Sequence, residues 1–231
     1  MILVQTRVKE LPLCGCGILD DMIEQYAKMA KIEHPKPIVM IAPSHQPDNI
    51  MDSCLDDLID SLYGRGYKII VRPHPQYKKR YPARLNGIVE RYAGKVGDDL
   101  VFETDFSSNI TVLEADVLIC DWSGIAFEYA FASLRPVISI NTPMKVINPN
   151  YKAINLPVLD ITLREELGVC VELSQVKNIE VVVKTLLSES EQWKERIEKV
   201  RAATISNIGK FGEASGEYLL DYLINKKNGV K

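Results

Sequence analysis

From residue 38 onward, the chain repeats one pattern five times: a short apolar run, a few polar residues, and a segment with helical spacing. The first run, residues 38–42 (IVMIA), is apolar throughout, which is typical of a parallel strand covered on both faces. Repeats of about 20–35 residues with this alternation predict an α/β fold with a doubly wound, Rossmann-like parallel sheet. The other predicted strands are residues 67–72, 100–103, 117–120 and 136–140.

Polar side chains follow each predicted strand. Ligands of such sheets bind outside the carboxyl ends of the strands, so these side chains are expected to lie around one crevice. They are Ser44 and His45, Arg72 and His74, Thr104 and Asp105, Asp121 and Ser123, and Asn141 and Thr142.

The segment Arg72-Pro73-His74-Pro75 places a guanidinium and an imidazole beside one strand end. The prolines restrict the backbone of the turn. Arg72 has the geometry to bind phosphate oxygens bidentately, and His74 can donate to a phosphate or transfer a proton. The alternative is a turn in which the histidine only caps a carbonyl.

Asp105, Ser107 and Ser108 precede the next predicted helix. Their short polar side chains are typical helix caps, and capping alone explains them. A function in ligand binding requires that the neighbouring loops bind the same ligand.

The stretch Asp121-Trp122-Ser123-Gly124 joins a buried strand directly to a helix. Ser123 offers a hydroxyl and an N–H at a helix start, where anions are stabilised, and Gly124 lets the backbone approach them closely. Asp121 is suited to ordering the turn or to binding a sugar hydroxyl. Glu128, one turn later, either reaches the same crevice or is simply solvated. Neither a GxGxxG nor a GxxxxGK[ST] motif occurs, which argues against a redox enzyme or an ATPase.

Net charge, cysteines and apolar stretches argue against some classes of protein. A net charge of -3 gives no overall basis for binding nucleic acid. The five cysteines are scattered, and Cys54 and Cys120 lie in apolar surroundings, which predicts buried free thiols and a cytoplasmic setting. No stretch approaches the roughly 20 apolar residues of a membrane span, so any membrane association is expected to be peripheral.

Outside the repeats the sequence is less regular. Residues 1–37 are predicted to be a partial N-terminal and linker segment with a helix at 20–30, and residues 38–231 one domain. After an irregular stretch to about residue 160, helical patterns occur at 163–167 and 179–187, and at 191–224 with a break near 209–212.

Several of these motifs together resemble the CDP-glycerol glycerophosphotransferase family, the polymerases and primases of teichoic-acid and capsule type. The resemblance rests on RPHP at 72–75, DFSSN at 105–109, ADVLICDWSGIAFEY at 115–129 and RPVI at 135–138. It extends over residues 13–222. Trp122, Gly124 and Glu128 stand where the family pattern has Tyr, Ser and Asp.

The resemblance implies one half of a B-type glycosyltransferase fold, the half that binds a CDP-activated donor. Arg72 and His74 would contact the donor phosphates, with His74 stabilising the departing CMP. Ser123 and the following N–H groups, including that of Gly124, would hold the pyrophosphate. Asp121 and Ser107 would line the glycerol side, and Ser44, His45, Asp105, Ser108 and Glu128 complete the expected crevice. Neither a metal nor a cofactor is implied.

The family also has a second domain with a His-Gly-Thr-Pro segment, whose histidine is expected to activate the acceptor hydroxyl. This sequence has only His34, His45 and His74, and none lies in such a segment. The expected enzyme therefore transfers glycerol phosphate to a polymer or lipid-linked acceptor at the inner membrane face only with a further domain or partner chain. The alternatives are a nucleotide-sugar transferase or epimerase of the same fold, and a non-catalytic nucleotide-binding half.

Overall fold

The structure, a computed structural model, describes residues 17–29, 34–144, 146, 148–150, 153 and 159–227. The predictions for residues 1–16, for the end of the predicted helix at residue 30 and for the first residue of the predicted linker, residue 33, lie outside this range. The predicted division at residue 37 stays a prediction.

Within the described residues, six parallel strands form one sheet in the order β3-β2-β1-β4-β5-β6. The doubly wound parallel sheet predicted from the sequence is therefore confirmed. The chain order reverses between β1 and β4, which is where ligands bind in sheets of this kind. The strands are β1 (Ile38–Ile41), β2 (Lys68–Val71), β3 (Leu100–Phe102), β4 (Val117–Cys120), β5 (Val137–Asn141) and β6 (Gly168–Glu172).

Helices cover both faces of the sheet. The first half of the chain contributes α1 (Gly17–Lys28), α2 (Ile50–Ser53), α3 (Leu55–Leu62), α4 (Pro75–Arg80), α5 (Pro82–Arg91) and α6 (Ile110–Glu114). The second half contributes α7 (Ile125–Ser133), α8 (Leu159–Thr162), a 3₁₀ helix (Leu173–Asn178), α9 (Ile179–Ser188), α10 (Ser190–Thr204) and α11 (Phe211–Lys227).

Two apolar cores lie on opposite faces of the sheet. Side chains of α2, α3, α5 and α9 pack on one face, and those of α1, α6, α7 and α10 pack on the other. The residues of β1 alternate between the two cores: Val39 belongs to the first and Met40 to the second. This double covering explains why the central strands are apolar at every position. Cys54 and Cys120 are buried free thiols, as predicted.

Several element predictions are corrected. The helix predicted after Asp48 is split at Cys54, whose backbone (φ -150°, ψ 12°) leaves the helical region. Residues 75–80 form α4, which the sequence did not indicate. Residues 163–167, predicted as a helix, lie in a turn after α8 and lead into β6, a sixth strand that was not predicted.

Gly168 explains how β6 joins the sheet. A Cβ atom at this position would lie 1.8 Å from the carbonyl oxygen of Val137 on β5. The backbone of β6 therefore approaches β5 more closely than any larger residue allows.

Helix α11 departs from the usual burial pattern. Asp20 of α1 accepts hydrogen bonds from the backbone N–H groups of Gly209 (2.7 Å) and Phe211 (3.1 Å), which fixes the start of the helix. Residues 216–225 are all exposed. The exposed apolar side chains are Tyr218, Leu219, Leu220, Tyr222, Leu223 and Ile224. Among the described helices, none is both long enough and apolar enough to cross a bilayer.

Candidate functional site

The carboxyl ends of the strands form one continuous rim. Ladder hydrogen bonds continue past the strands: Glu103 N–H donates to Val71 O (2.9 Å), Arg72 N–H to Ile41 O (2.8 Å) and Ala42 N–H to Ile119 O (2.8 Å). The segments that follow β3, β2, β1 and β4 therefore leave the sheet side by side. The polar residues singled out from the sequence after these strands belong to this one rim.

Two histidines meet at the middle of the rim. The ring centroids of His45, after β1, and His74, after β2, are 4.4 Å apart with a tilt of 38°. The sequence predicted both as separate crevice residues but gave no indication of the contact. A pair of imidazoles this close provides both hydrogen-bond donors and acceptors at one place, which suits proton transfer or anion binding.

The ring of His74 is held by its own turn. His74 is the N-cap of α4, and its Nδ1 accepts the backbone N–H of Gln76 at 3.0 Å. Because Nδ1 acts as the acceptor, the proton of the neutral ring is on Nε2. The capping predicted as the alternative is present, although the cap is formed with an N–H rather than a carbonyl.

The start of α7 provides backbone donors at the end of β4. Within the described chain, no acceptor takes the N–H of Ser123, Gly124 or Ile125. Together with the positive end of a nine-residue helix, these groups form the type of site that binds phosphate. Gly124 has ordinary helical angles (φ -61°, ψ -22°), so its conformation does not itself require glycine.

Asp121 orders the switch point of the sheet. Its Oδ1 accepts the N–H of Ser44 at 2.7 Å, and its Oδ2 accepts the N–H of Ile50 at 3.2 Å. The carboxylate thus joins the end of β4 to the loop after β1 and to the start of α2. Burial raises the pKa of Asp121, while these amide donors act in the opposite direction. Two roles were predicted for Asp121, ordering the turn or binding a sugar hydroxyl, and these contacts show the first.

Arg72 is only 8% exposed, and its guanidinium binds protein groups. Its Nη1 lies 2.6 Å from a carboxylate oxygen of Glu103, and its Nη2 donates to Ser108 O at 3.0 Å and approaches Asn109 Oδ1 at 3.4 Å. The predicted phosphate contact stays a prediction. The geometry instead makes Arg72 the organiser of the loop after β3.

The predicted capping of the next helix is corrected: among the described residues, the N-cap of α6 is Asn109, whose side chain makes no capping hydrogen bond, while Asp105 and Ser108 bond nearby backbone N–H groups. Asp105 Oδ1 accepts the N–H of Ser107 at 3.0 Å, and Ser108 Oγ accepts the N–H of Ile110 at 3.1 Å. The bond from Ser107 holds the pKa of the Asp105 carboxyl below its usual value. These bonds fix the shape of the loop, whether or not it binds a ligand.

Glu128 is half-buried on α7, and burial raises the pKa of its carboxyl. No hydrogen bond within the described residues joins it to the rim. Its predicted place in the crevice stays a prediction.

One rim residue was missed by the sequence analysis. The guanidinium of Arg164 lies 4.0 Å from the centroid of the Trp122 ring and donates to Ile140 O at 3.0 Å. Trp122 Nε1 donates to Thr142 O at 2.9 Å, so both the ring and its polar edge are occupied by protein. Trp122 therefore fixes the turn before α7 to β5. No motif could have identified Arg164, because it lies in the segment predicted as a helix.

The described side chains of this rim do not form a group of metal ligands. Among the described residues, no group of three or more His, Cys, Asp or Glu side chains could hold a metal ion. The groups described above that could neutralise an anion are the histidine pair and the amides at the start of α7.

Comparison with known proteins shows the family to which this chain belongs. The model of the CDP-Glycerol:Poly(glycerophosphate) glycerophosphotransferase family matches residues 20–146, more than half of the chain. This range extends from α1 past β5 and includes every candidate side chain proposed from the sequence. No curated protein matches the chain.

Solved structures show the fold. The wall teichoic acid polymerase TagF is 18% identical with a TM-score of 0.50, and the match covers 89% of this chain and 48% of TagF. The UDP-GlcNAc 2-epimerase of Methanocaldococcus jannaschii is 16% identical with a TM-score of 0.55, and covers 90% of this chain and 54% of the epimerase. The chain therefore spans about half the length of these proteins, with the fold of one half of a B-type glycosyltransferase.

Another matching structure is a single domain, and the match covers nearly all of it. The C-terminal CMP-Kdo binding domain of WaaA from Acinetobacter baumannii is 16% identical with a TM-score of 0.50. The match covers 78% of this chain and 97% of that domain. At this identity the likeness concerns the fold alone.

Proposed function

We propose that this chain, which belongs to the CDP-glycerol:poly(glycerophosphate) glycerophosphotransferase family, binds the CDP-activated donor in the transfer of glycerol phosphate or a related polyol phosphate. The acceptor is the end of a cell-surface polymer or a lipid-linked primer, and CMP is the leaving group. TagF, a teichoic acid polymerase with the same fold, has been studied with CDPG.

The observation that carries this proposal is the sharing of one rim by the histidine pair and the open amides of α7. His74 follows β2 and the amides follow β4, with β1 between these strands, so His74 and the amides are two strand spacings apart, roughly 10 Å. A diphosphate would lie across the switch point between them, where such sheets bind their ligands.

The proposed chemistry uses these groups without a cofactor. An acceptor hydroxyl attacks the phosphorus bearing the glycerol, a new P–O bond forms, and the P–O bond to CMP breaks. Charge accumulates on the oxygen that leaves with CMP, and His74 Nε2–H stabilises it or donates its proton to it. The amides at the start of α7 stabilise charge on the diphosphate throughout the reaction.

The acceptor side is proposed to come from elsewhere. This chain matches about half of TagF, so the group that activates the acceptor hydroxyl would belong to a further domain or to a partner chain. We place the reaction in the cytoplasm at the inner face of the membrane, where a lipid-linked acceptor would be reached by peripheral association.

Replacing His74 with asparagine tests the site directly. Asparagine is a good N-cap and can still accept the N–H of Gln76, whereas the donor at Nε2 is removed. We expect CMP to bind about tenfold more weakly, a loss of about 1.4 kcal/mol. Isothermal titration calorimetry with CMP measures this. The control is His34→Asn, because His34 precedes β1 and lies outside the proposed site.

Ser123→Ala is expected to weaken CMP binding to a similar degree, because the hydroxyl beside the open amides is lost. Unchanged CMP affinity in both His74→Asn and Ser123→Ala would contradict the proposed site. Stabilisation of the wild type by CMP well above UMP in a thermal-shift assay would support the CDP-linked donor. Equal stabilisation would favour a nucleotide-sugar enzyme of the same fold.

A further inference from the structure

Tyr77 is a buried tyrosine whose hydroxyl group bonds to a residue outside its own helix. Its side chain belongs to α4, the helix that His74 caps, and it is fully buried. The hydroxyl donates to a carboxylate oxygen of Asp52 on α2 at 2.9 Å. Burial raises the pKa of the phenol, so Tyr77 stays protonated and remains the donor of this hydrogen bond. The bond therefore joins α4 to α2.

Each of these two helices is attached to one of the histidines. His74 is the N-cap of α4, and its carbonyl oxygen accepts the backbone N–H of Tyr77 at 2.8 Å, so the tyrosine lies one turn after it. His45 lies in the loop that leads into α2. The N-cap of that helix, Asn49, is fully buried, and its Nδ2 donates to the carbonyl oxygen of Gln46 at 2.7 Å, directly beside His45 in the chain. A displacement of α4 relative to α2 would therefore move one imidazole relative to the other.

We propose that Tyr77 and Asp52 are positioning residues for the histidine pair. Their hydrogen bond holds the two helices together and so maintains the contact between the imidazoles, whose centroids are 4.4 Å apart. This inference rests on the proposed function, in which His74 Nε2–H stabilises the departing CMP. A misplacement of about 1 Å in a reacting geometry can lower a rate about 100-fold, so a bond that does not touch the ligand can still control the site.

The same arrangement occurs a second time, between elements that carry no rim residue described above. Tyr92, at the end of α5, is 5% exposed and donates to Asp56 on α3. In both cases an arginine is the second partner of the carboxylate, Arg84 at Asp52 and Arg91 at Asp56. Loss of the Tyr92 hydroxyl therefore measures what such a bond contributes to stability alone.

The test removes one hydroxyl at a time, in Tyr77→Phe and in the matched control Tyr92→Phe. Each variant keeps its ring in the core, and each is expected to lower the midpoint of thermal unfolding by about 2–4 °C, the effect of one lost hydrogen bond. In isothermal titration calorimetry, we expect CMP to bind about fivefold more weakly to Tyr77→Phe. Tyr92→Phe should bind CMP within about twofold of the wild type.

The contact between the imidazoles gives a readout that a general loss of stability does not change. The rings of His45 and His74 are close enough for a nuclear Overhauser effect between their carbon-bound protons. We expect this effect to weaken in Tyr77→Phe and to remain unchanged in Tyr92→Phe.

Variants of Asp52 show whether the hydrogen bond itself is responsible. Asp52→Asn retains an oxygen that accepts from the phenol, so CMP affinity should stay within about twofold of the wild type. Asp52→Ala removes the acceptor and should weaken CMP binding as much as Tyr77→Phe does. In the double variant Asp52→Ala/Tyr77→Phe, the second change should add no further loss, because the bond is already absent. The two Asp52 variants decide the question if Tyr77→Phe does not fold.

The outcomes separate this inference from the proposed function. If Tyr77→Phe binds CMP like the wild type, or if Tyr77→Phe and Tyr92→Phe lose affinity equally, the inference is overturned, and the proposed function then depends on the result for His74→Asn. An unchanged nuclear Overhauser effect in Tyr77→Phe would overturn the inference as well. If the wild type does not bind CMP, the proposed function fails and the inference fails with it.

Discussion

Replacing Arg72 with alanine is expected to lower the free energy of unfolding by about 3–5 kcal/mol, the usual cost of removing one partner from a buried ion pair. The guanidinium and the Glu103 carboxylate are both largely buried, with 9% and 18% of their side chains exposed. The substitution leaves the carboxylate with Thr111 as its remaining hydrogen-bond partner. It also frees Ser108 O and Asn109 Oδ1, so the loop after β3 loses its fixed shape.

Urea denaturation followed by circular dichroism measures this loss. The matched control is Arg91→Ala, which removes an ion pair with Asp56 in which about half of each side chain is exposed. Exposed pairs of this kind contribute about 0–1 kcal/mol. Similar losses in the two variants would show that Arg72 does not organise the rim in the way its contacts indicate.

Asp121→Asn is expected to lower the free energy of unfolding by about 2–3 kcal/mol, because a buried donor is left without an acceptor. The carboxylate accepts the N–H groups of Ser44 and Ile50 with different oxygens. An asparagine of the same shape offers one oxygen and turns an N–H toward the second amide. The loop after β1, which carries His45, should become mobile.

Thermal unfolding and CMP titration together test this second prediction. We expect a lower midpoint temperature and weaker CMP binding in Asp121→Asn. The control is Asp60→Asn, since the Asp60 side chain is 67% exposed and pairs with Lys95 on the surface. A variant at Asp121 that unfolds like the wild type would mean that the switch point does not depend on this carboxylate.

The sheet was largely predictable because its central strands carry apolar residues at every position. The strand β6 was missed because it follows an irregular stretch and begins with glycine, which is uncommon within strands. Gly168 belongs there only because of the backbone of β5 beside it. A contact between strands distant in sequence leaves no local pattern to recognise.

The sequence predicted at which end of the sheet the site residues lie, but not which groups they contact. The sequence shows that polar residues follow every strand. In the structure, the polar residues after β3, β2, β1 and β4 lie at one rim. The contact of His45 with His74 depends on β1 lying beside β2, and the hydrogen bonds of Arg72 depend on carbonyl groups that no residue type encodes. Arg164 was missed because it lies in a segment that was predicted as a helix.

The exposure of α11 means that the two cores and the rim do not depend on its second half. Because every residue from 216 to 225 is exposed, a version that stops at residue 215 would keep both cores and the whole rim. It would also lack Leu219, Leu220 and Leu223, which form part of an exposed apolar surface. A chain that ends at residue 215 is therefore expected to associate less in solution than the full chain.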